Sequence, residues 1–225
     1  MAAGSLSGVA GAAWSSPSDP IVVIGGIDAH QSSLDAMTVA LRAQGFRAFP
    51  MQLSGRPPGV APIPESAQAV ADKVAEVRKE TGSSRVSLVG HSMGGLAARH
   101  YLKFLGGQGQ VSTYVSVGTP HRGEWLGVLC AVLSQGCRDL LPTSTFIRRL
   151  NEGPPIPRPV DAFHIYSDQG TGEKRPLAGA TNIRIQSFCP GRTVSHADEL
   201  VDRAVQELVT SALQTGAPAT NCPQR

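Results

Sequence analysis

Hydrophobic and polar positions divide the chain into two kinds of segment. A short, wholly apolar run at residues 21–24, a second short run at 85–89 and an alternating run at 111–117 are typical of strands. Residues 32–44 and 65–81 instead repeat apolar side chains at helical spacing, which predicts helices packed on a core. The same patterns predict strands at 46–53, 162–166 and 182–187 and helices at 94–105, 123–133, 144–151 and 196–213.

The order of these segments predicts the fold class. Strands and helices alternate, which favours an α/β fold with a mostly parallel sheet and helices on both faces. The 225 residues suit one domain with a sizeable core and leave little or no room for a lid. We expect residues 1–19, which are rich in small side chains, to form a flexible N-terminal segment and residues 20–225 to form the single domain. The first sixteen residues lack a positive and strongly apolar start, so they are read as a mature N-terminus or a trimmed export signal.

Composition and charge narrow the classes of partner. The formal net charge is only +3, and Lys and Arg form no stripe, so we expect no nucleic-acid partner. No apolar stretch reaches the roughly 18 residues that cross a bilayer, which argues against an integral membrane segment. We therefore expect a monomer that acts on a small molecule or a lipid.

Four cysteines bear on the cellular compartment. No CxxC pair and no histidine at ligand spacing accompany them, so we expect no metal. Their even number favours two disulfides and an oxidising, extracellular location, with buried thiols as the alternative. Of the three possible pairings we prefer Cys130 with Cys137, which share a short segment, and Cys189 with Cys222.

The motif that carries chemistry is GHSMG at residues 90–94, a G-x-S-x-G between a predicted strand and a predicted helix. Such a turn exposes the serine hydroxyl at the top of the sheet and aims the helix N-terminus at the reacting atoms. Glycines flank the serine because side chains there would collide with the neighbouring strand or helix. We therefore predict Ser92 to be a nucleophile; the alternative is an ordinary glycine-rich turn.

A nucleophilic serine needs a base, and the histidine that serves as base needs an orienting acid, which in this topology come in the chain order serine, acid, histidine. His196 is the only histidine beyond the last predicted strand, so we predict it to be the base; His121 is its rival. For the acid we predict Asp168, directly after the strand at 162–166. Glu173 is the alternative, on a glycine-rich stretch that looks mobile.

The oxyanion formed during acyl transfer needs two backbone N–H donors. We predict the N–H of Met93, which follows the nucleophile, and that of Ile27 in the loop after the first strand.

The segments VSLVGHSMGG, VGTPHRG and CPGRTVSH, at residues 86–95, 117–123 and 189–196, together resemble the small secreted actinobacterial lipases and esterases of the α/β-hydrolase fold. The resemblance covers roughly residues 21–213. It implies hydrolysis of carboxylic esters such as triacylglycerols, with Ser92, His196, Met93 and Ile27 in the roles given above, export, and no cofactor or metal. In that family the acid of the triad falls a few residues further beyond the strand than Asp168 does.

The chain departs from that family at Gly25-Gly26-Ile27, where His-Gly is common, and at Glu124-Trp125, where small residues are commoner. The alternatives are a serine hydrolase for another acyl bond, such as a thioesterase, polyesterase or acyltransferase, and a non-catalytic binding protein on the same fold.

Overall fold

One six-stranded sheet forms the centre of the molecule. The computed structural model describes residues 19–125, 128–132 and 134–224, so the predicted flexible segment lies, Asp19 apart, outside the described residues. All five strand pairings are parallel, in the order β2-β1-β3-β4-β5-β6. The strands are β1 (Ile21–Ile24), β2 (Ala48–Met51), β3 (Val86–His91), β4 (Val111–Val117), β5 (Asp161–Tyr166) and β6 (Thr181–Arg184).

Helices cover both faces of this sheet. They are α1 (Gln31–Ala43), α2 (Ile63–Thr81), α3 (Met93–Phe104), α4 (Val128–Ala131), α5 (Gln135–Leu140), α6 (Thr145–Leu150), α7 (Ile185–Phe188) and α8 (Arg203–Thr215). Alternate residues of β1 point to opposite faces, with Val22 and Ile24 packed on the α2–α3 side and Ile21 and Val23 on the α1–α8 side. The predicted α/β fold with a parallel sheet is confirmed. In the described parts of the chain no helix is long and apolar enough to cross a membrane.

The C-terminal third differs from the predicted elements. The predicted strand at 182–187 was wrong beyond Arg184, because α7 begins at Ile185. In a run this short, the two buried residues Ile183 and Ile185 are compatible with a strand or with the start of a helix, so the pattern could not place the boundary. The single helix predicted at 196–213 is instead a 3-10 turn, His196–Asp198, followed by α8, because the Asp202 carboxylate caps α8 through two backbone N–H groups.

Two disulfides tie loops to this scaffold. Cys130–Cys137 joins α4 to α5, and Cys189–Cys222 joins the loop after α7 to the C-terminal tail. Both preferred pairings are therefore confirmed.

Candidate active site

The sharp turn between β3 and α3 carries Ser92. Its backbone has φ 54° and ψ −127°, a left-handed conformation that a non-glycine residue adopts only under strain. The turn is possible because Gly94 has no side chain: a Cβ there would lie 2.3 Å from the carbonyl oxygen of Gly25. The strand–turn–helix geometry thus presents the Ser92 hydroxyl at the carboxyl ends of the strands.

The imidazole of His196 faces that hydroxyl. Its Nε2 lies 2.9 Å from Ser92 Oγ, across 104 positions of sequence. His121, the rival base, is buried and directs its two ring nitrogens to Arg99 and Ser116 instead. The structure therefore brings Ser92 and His196 together and directs the ring of His121 elsewhere.

Two buried carboxylates meet the other ring nitrogen of His196. Glu173 Oε2 lies 3.0 Å from Nδ1, and Glu199 Oε2 lies 3.1 Å from it. Glu173 is further fixed because its Oε1 accepts the backbone N–H of Ser167 at 2.9 Å. The imidazole is therefore held between Ser92 on one side and a pair of carboxylates on the other.

Asp168, the predicted acid, is not brought to His196. Its carboxylate pairs with the guanidinium of Arg184, and the side chain is 39% exposed. That ion pair lowers the pKa of Asp168. The prediction of Asp168 as the acid was wrong because Asp168 lies directly after β5, where Arg184 of the edge strand β6 binds its carboxylate.

The glycine-rich loop allows Glu173 to reach the site. A Cβ on Gly170 would come within 1.9 Å of the Glu173 carboxyl carbon, so the carboxylate occupies the space that a side chain would fill. In the sequence alone, glycines at these positions suggest mobility, which favours Asp168 over Glu173. In the structure they let the loop fold back on itself.

Glu199 and His91 are the residues that the sequence analysis missed. His91 stacks on His196 with ring centroids 4.8 Å apart, and its Nε2 lies 3.2 Å from Glu199 Oε2. The available signal was the i, i+3 spacing of Glu199 from His196. Glu199 lies within a segment whose apolar residues recur at helical spacing, so the sequence suggested a helix residue rather than a partner of His196. Ligand atoms of His91, His196 and Glu199 lie within 4.8 Å of one another, a spacing that would suit a metal ion, but hydrogen bonds already join them.

Burial and hydrogen bonding shift the pKa values of this cluster in opposite directions. Burial lowers the pKa of His196, but hydrogen bonds to Glu173 and Glu199 outweigh it and raise the pKa to about 10. Burial would raise the pKa of Glu199, and hydrogen bonds from His196 and His91 reverse this and lower it. Burial, together with the charge of Glu199, raises the pKa of Glu173. These opposite shifts make Glu173 the more easily protonated of the two carboxyl groups.

A cavity of about 290 Å³ opens beside Ser92 and His196. Ile27 lines it, and Met93 is the first residue of α3, where a backbone N–H has no carbonyl acceptor within its own helix. Trp125 is 58% exposed, whereas Glu124 belongs to the cavity wall. The other lining residues are Gly118, Pro120, Cys130, Leu140, Gln169, Gly170, Thr171, Gly172 and Glu173.

Comparisons with known proteins show which families the sequence resembles. The sequence model of the palmitoyl protein thioesterase family matches residues 20–151, more than half of the chain. Two curated proteins named triacylglycerol lipase, from Pseudarthrobacter phenanthrenivorans and Burkholderia plantarii, are each 36% identical over 84 residues, which are 37% of this chain. That segment spans only 25% and 23% of the two relatives' own lengths.

Among solved structures, Aspergillus fumigatus lipase B superposes with a TM-score of 0.75 at 17% identity, over 90% of this chain and 54% of that one. This likeness shows the α/β-hydrolase fold.

Proposed function

This chain belongs to the palmitoyl protein thioesterase family, and we propose that it is a serine hydrolase that cleaves carboxylic esters through an acyl-enzyme on Ser92. The observation that carries the proposal is the 2.9 Å contact between Ser92 Oγ and His196 Nε2, with carboxylates on the opposite nitrogen of the same ring. A serine on a strained turn, a base within hydrogen-bond reach and a group that orients the base form the arrangement that activates a hydroxyl.

The reaction follows from these contacts. Ser92 Oγ forms a bond to the carbonyl carbon of the ester while its proton passes to His196 Nε2. The tetrahedral intermediate collapses, the bond to the leaving oxygen breaks, and His196 returns the proton to the departing alcohol. Water then attacks the acyl carbon and loses a proton to His196. The bond between the acyl carbon and Ser92 Oγ breaks, His196 returns the proton to Ser92 Oγ, and the free acid leaves.

The negative oxygen of the intermediate needs donors that are already in place. The N–H of Met93 at the start of α3 is one candidate, and the N–H of Ile27 at the cavity wall is the other. Both keep the roles predicted from the sequence. The positive end of the α3 dipole supports the same charge.

The orienting carboxylate in this proposal is Glu173 rather than Asp168. Glu173 lies between Ser92 and His196 in the chain, on the loop after β5, as the topology requires. It also has a fixed position, because Ser167 holds its second oxygen. Glu199 is a second carboxylate on the same nitrogen, and its low pKa keeps a negative charge beside the imidazole.

The cavity and the relatives suggest the substrate. A volume of about 290 Å³ is at the lower end of the roughly 300–1,000 Å³ of small-molecule pockets, which favours acyl groups of modest length. The matched segment of the triacylglycerol lipases supports a carboxylic or lipid ester. The family match favours a second candidate, hydrolysis of acyl thioesters. Two disulfides support export from the cell.

The test compares the wild type with Ser92→Ala and with Ser87→Ala, which changes a buried serine of β3, the strand that precedes Ser92. We expect a fluorophosphonate probe to label the wild type and Ser87→Ala but not Ser92→Ala. Turnover of a p-nitrophenyl ester should fall by up to about 10⁶ in Ser92→Ala. Near-wild-type turnover in that variant would refute the proposal.

Matched series of p-nitrophenyl esters and acyl thioesters separate the two candidate activities. We expect kcat/KM to be higher for the oxygen esters and to peak at short or medium chains. A consistent preference for thioesters of equal chain length would favour the second candidate.

A further inference from the structure

A row of buried polar side chains runs behind the cavity from α3 to the loop that carries Glu173. We call Arg99, His121, Ser116 and His164 the polar row; each is at most 2% exposed. Successive members lie 3.2, 3.0 and 3.1 Å apart, and His164 Nε2 ends the row 2.7 Å from the main-chain oxygen of Glu173. The polar row takes no part in the proposed chemistry, but it contacts Glu173, the residue that orients the base His196.

The donors and acceptors of the row can be assigned from both ends. A guanidinium only donates, so His121 Nδ1 accepts from Arg99 and its Nε2–H donates to Ser116. A carbonyl only accepts, so His164 Nε2–H donates to Glu173 and its Nδ1 accepts. The Ser116 hydroxyl has two acceptors within reach, the Phe163 carbonyl at 3.2 Å and the unprotonated His164 Nδ1 at 3.1 Å, and it completes the row when it donates to the second. With the Ser116 proton on His164 Nδ1, every hydrogen bond of the row points from Arg99 towards Glu173.

This assignment requires both rings to be neutral, and their surroundings keep them so. Burial lowers the pKa of His121 well below its usual range, and the neighbouring His164 and Arg99 act in the same direction. For His164, burial and Arg99 lower the pKa against the raising effects of the Glu173 carbonyl and Glu199. Each ring thus carries one proton, in a fixed tautomer.

The far end of the row is anchored to the scaffold. Arg99 donates to the Leu150 carbonyl at 2.8 Å and to Asn151 Oδ1 at 2.7 Å, both at the end of α6. Asn151 in turn donates to the His121 carbonyl. The row therefore links a helix end that is remote in sequence to the loop at residues 167–173.

We infer that the polar row positions Glu173, so that Ser116 and His164 are positioning residues for the base His196. The inference rests on the proposed function. Three contacts fix Glu173: His164 on its carbonyl, Ser167 on one carboxylate oxygen and His196 on the other. The first of these contacts holds the main chain of Glu173, and the other two hold its carboxylate.

The first experiment measures kcat and KM for a short p-nitrophenyl ester. Ser116→Ala and His164→Leu should lower kcat by roughly 10- to 100-fold with little change in KM, as loss of an outer partner of an active-site ligand commonly does. His164→Gln keeps an N–H donor for the Glu173 carbonyl and should recover most of the activity. Thr38→Val is the matched control, because it also removes a buried hydrogen bond, inside α1 and away from the site.

The second experiment is a double-mutant cycle with Glu173→Gln, a readout that a merely structural effect would not move. The double variant Ser116→Ala with Glu173→Gln should have a kcat only slightly below that of the more severe single variant. When Glu173→Gln is combined with Thr38→Val, the two effects on kcat, expressed as free energies, should add. Ser116→Ala removes one oxygen atom, so it decides the matter if His164→Leu does not fold.

Full kcat in folded Ser116→Ala, or additive effects with Glu173→Gln, would overturn the inference. A wild type without Ser92-dependent turnover would instead overturn the proposed function itself.

Discussion

Glu199 Oε2 lies 3.1 Å from Nδ1 of His196, the residue three positions before it in the chain. Glu173 Oε2 lies 3.0 Å from the same nitrogen, so two buried carboxylates share one imidazole. Two like charges this close favour one ionised and one more easily protonated partner, which is the direction of the pKa shifts of Glu199 and Glu173. If one of these carboxylates is removed, the other still contacts Nδ1 of His196.

The first prediction concerns the effect on kcat of removing one or both of the carboxylates that contact His196. Glu173→Gln and Glu199→Gln should each lower kcat by much less than the roughly 10⁴ expected when the only orienting carboxylate is lost, because one carboxylate remains on Nδ1. The double variant should approach that full loss. Asp168→Asn is the control and should leave kcat near wild type, since its carboxylate faces Arg184. A large loss of kcat in Asp168→Asn, together with near-wild-type kcat in Glu173→Gln, would show that Asp168 is the orienting acid.

The second prediction concerns the pH dependence of kcat/KM. His196 must be neutral to accept the Ser92 proton, and the carboxylates raise its pKa to about 10, so activity should rise with pH through an apparent pKa above the usual value of about 6.5. Glu199→Gln removes a negative charge and should move that rise to lower pH. The apparent pKa belongs to the coupled cluster. A rise that stays in place in Glu199→Gln would contradict the assigned contact.

The third prediction concerns stability in acid. The folded-state pKa values of His121 and His164 are lowered, mainly by burial, so the unfolded chain binds more protons as the pH falls. Their contribution to the free energy of unfolding is therefore fully present above about pH 6.5. Below that pH it is lost by up to about 1.4 kcal/mol per pH unit for each additional proton bound by the unfolded chain. Urea unfolding between about pH 7 and 5 should show this loss, and His164→Gln, which cannot titrate, should show a shallower one. An equal slope in both proteins would refute it.

The fourth prediction separates the two disulfides. Cys189–Cys222 closes 33 positions and Cys130–Cys137 closes 7, so loss of the first should lower the free energy of unfolding by about 4 kcal/mol and loss of the second by about 2 kcal/mol. Cys130 also lines the cavity. The paired alanine variant at 130 and 137 should therefore alter the chain-length preference for esters more than the pair at 189 and 222. Denaturant titration and the ester series measure both effects, and identical ester profiles would contradict the second.

The sequence by itself determined the fold class and the turn that bears Ser92, and it favoured the two disulfide pairings that the structure shows. Strand, turn and helix follow from patterns within a few residues of one another, and the glycine at 94 is required by a collision that any such turn would produce. His196 could be singled out because topology leaves one histidine after the last strand. Those features are local or topological, so a linear pattern records them.

Only the tertiary structure decided which carboxylates face His196. Asp168 and Glu173 lie on the same loop, and their roles diverged because Arg184 on the neighbouring strand binds the first, while the His164 ring and the Ser167 N–H hold the second. Glu199 became a partner because the chain turns between His196 and the capped start of α8. A short stretch of sequence does not record the direction of a side chain when that direction is set by contacts with distant residues across the sheet.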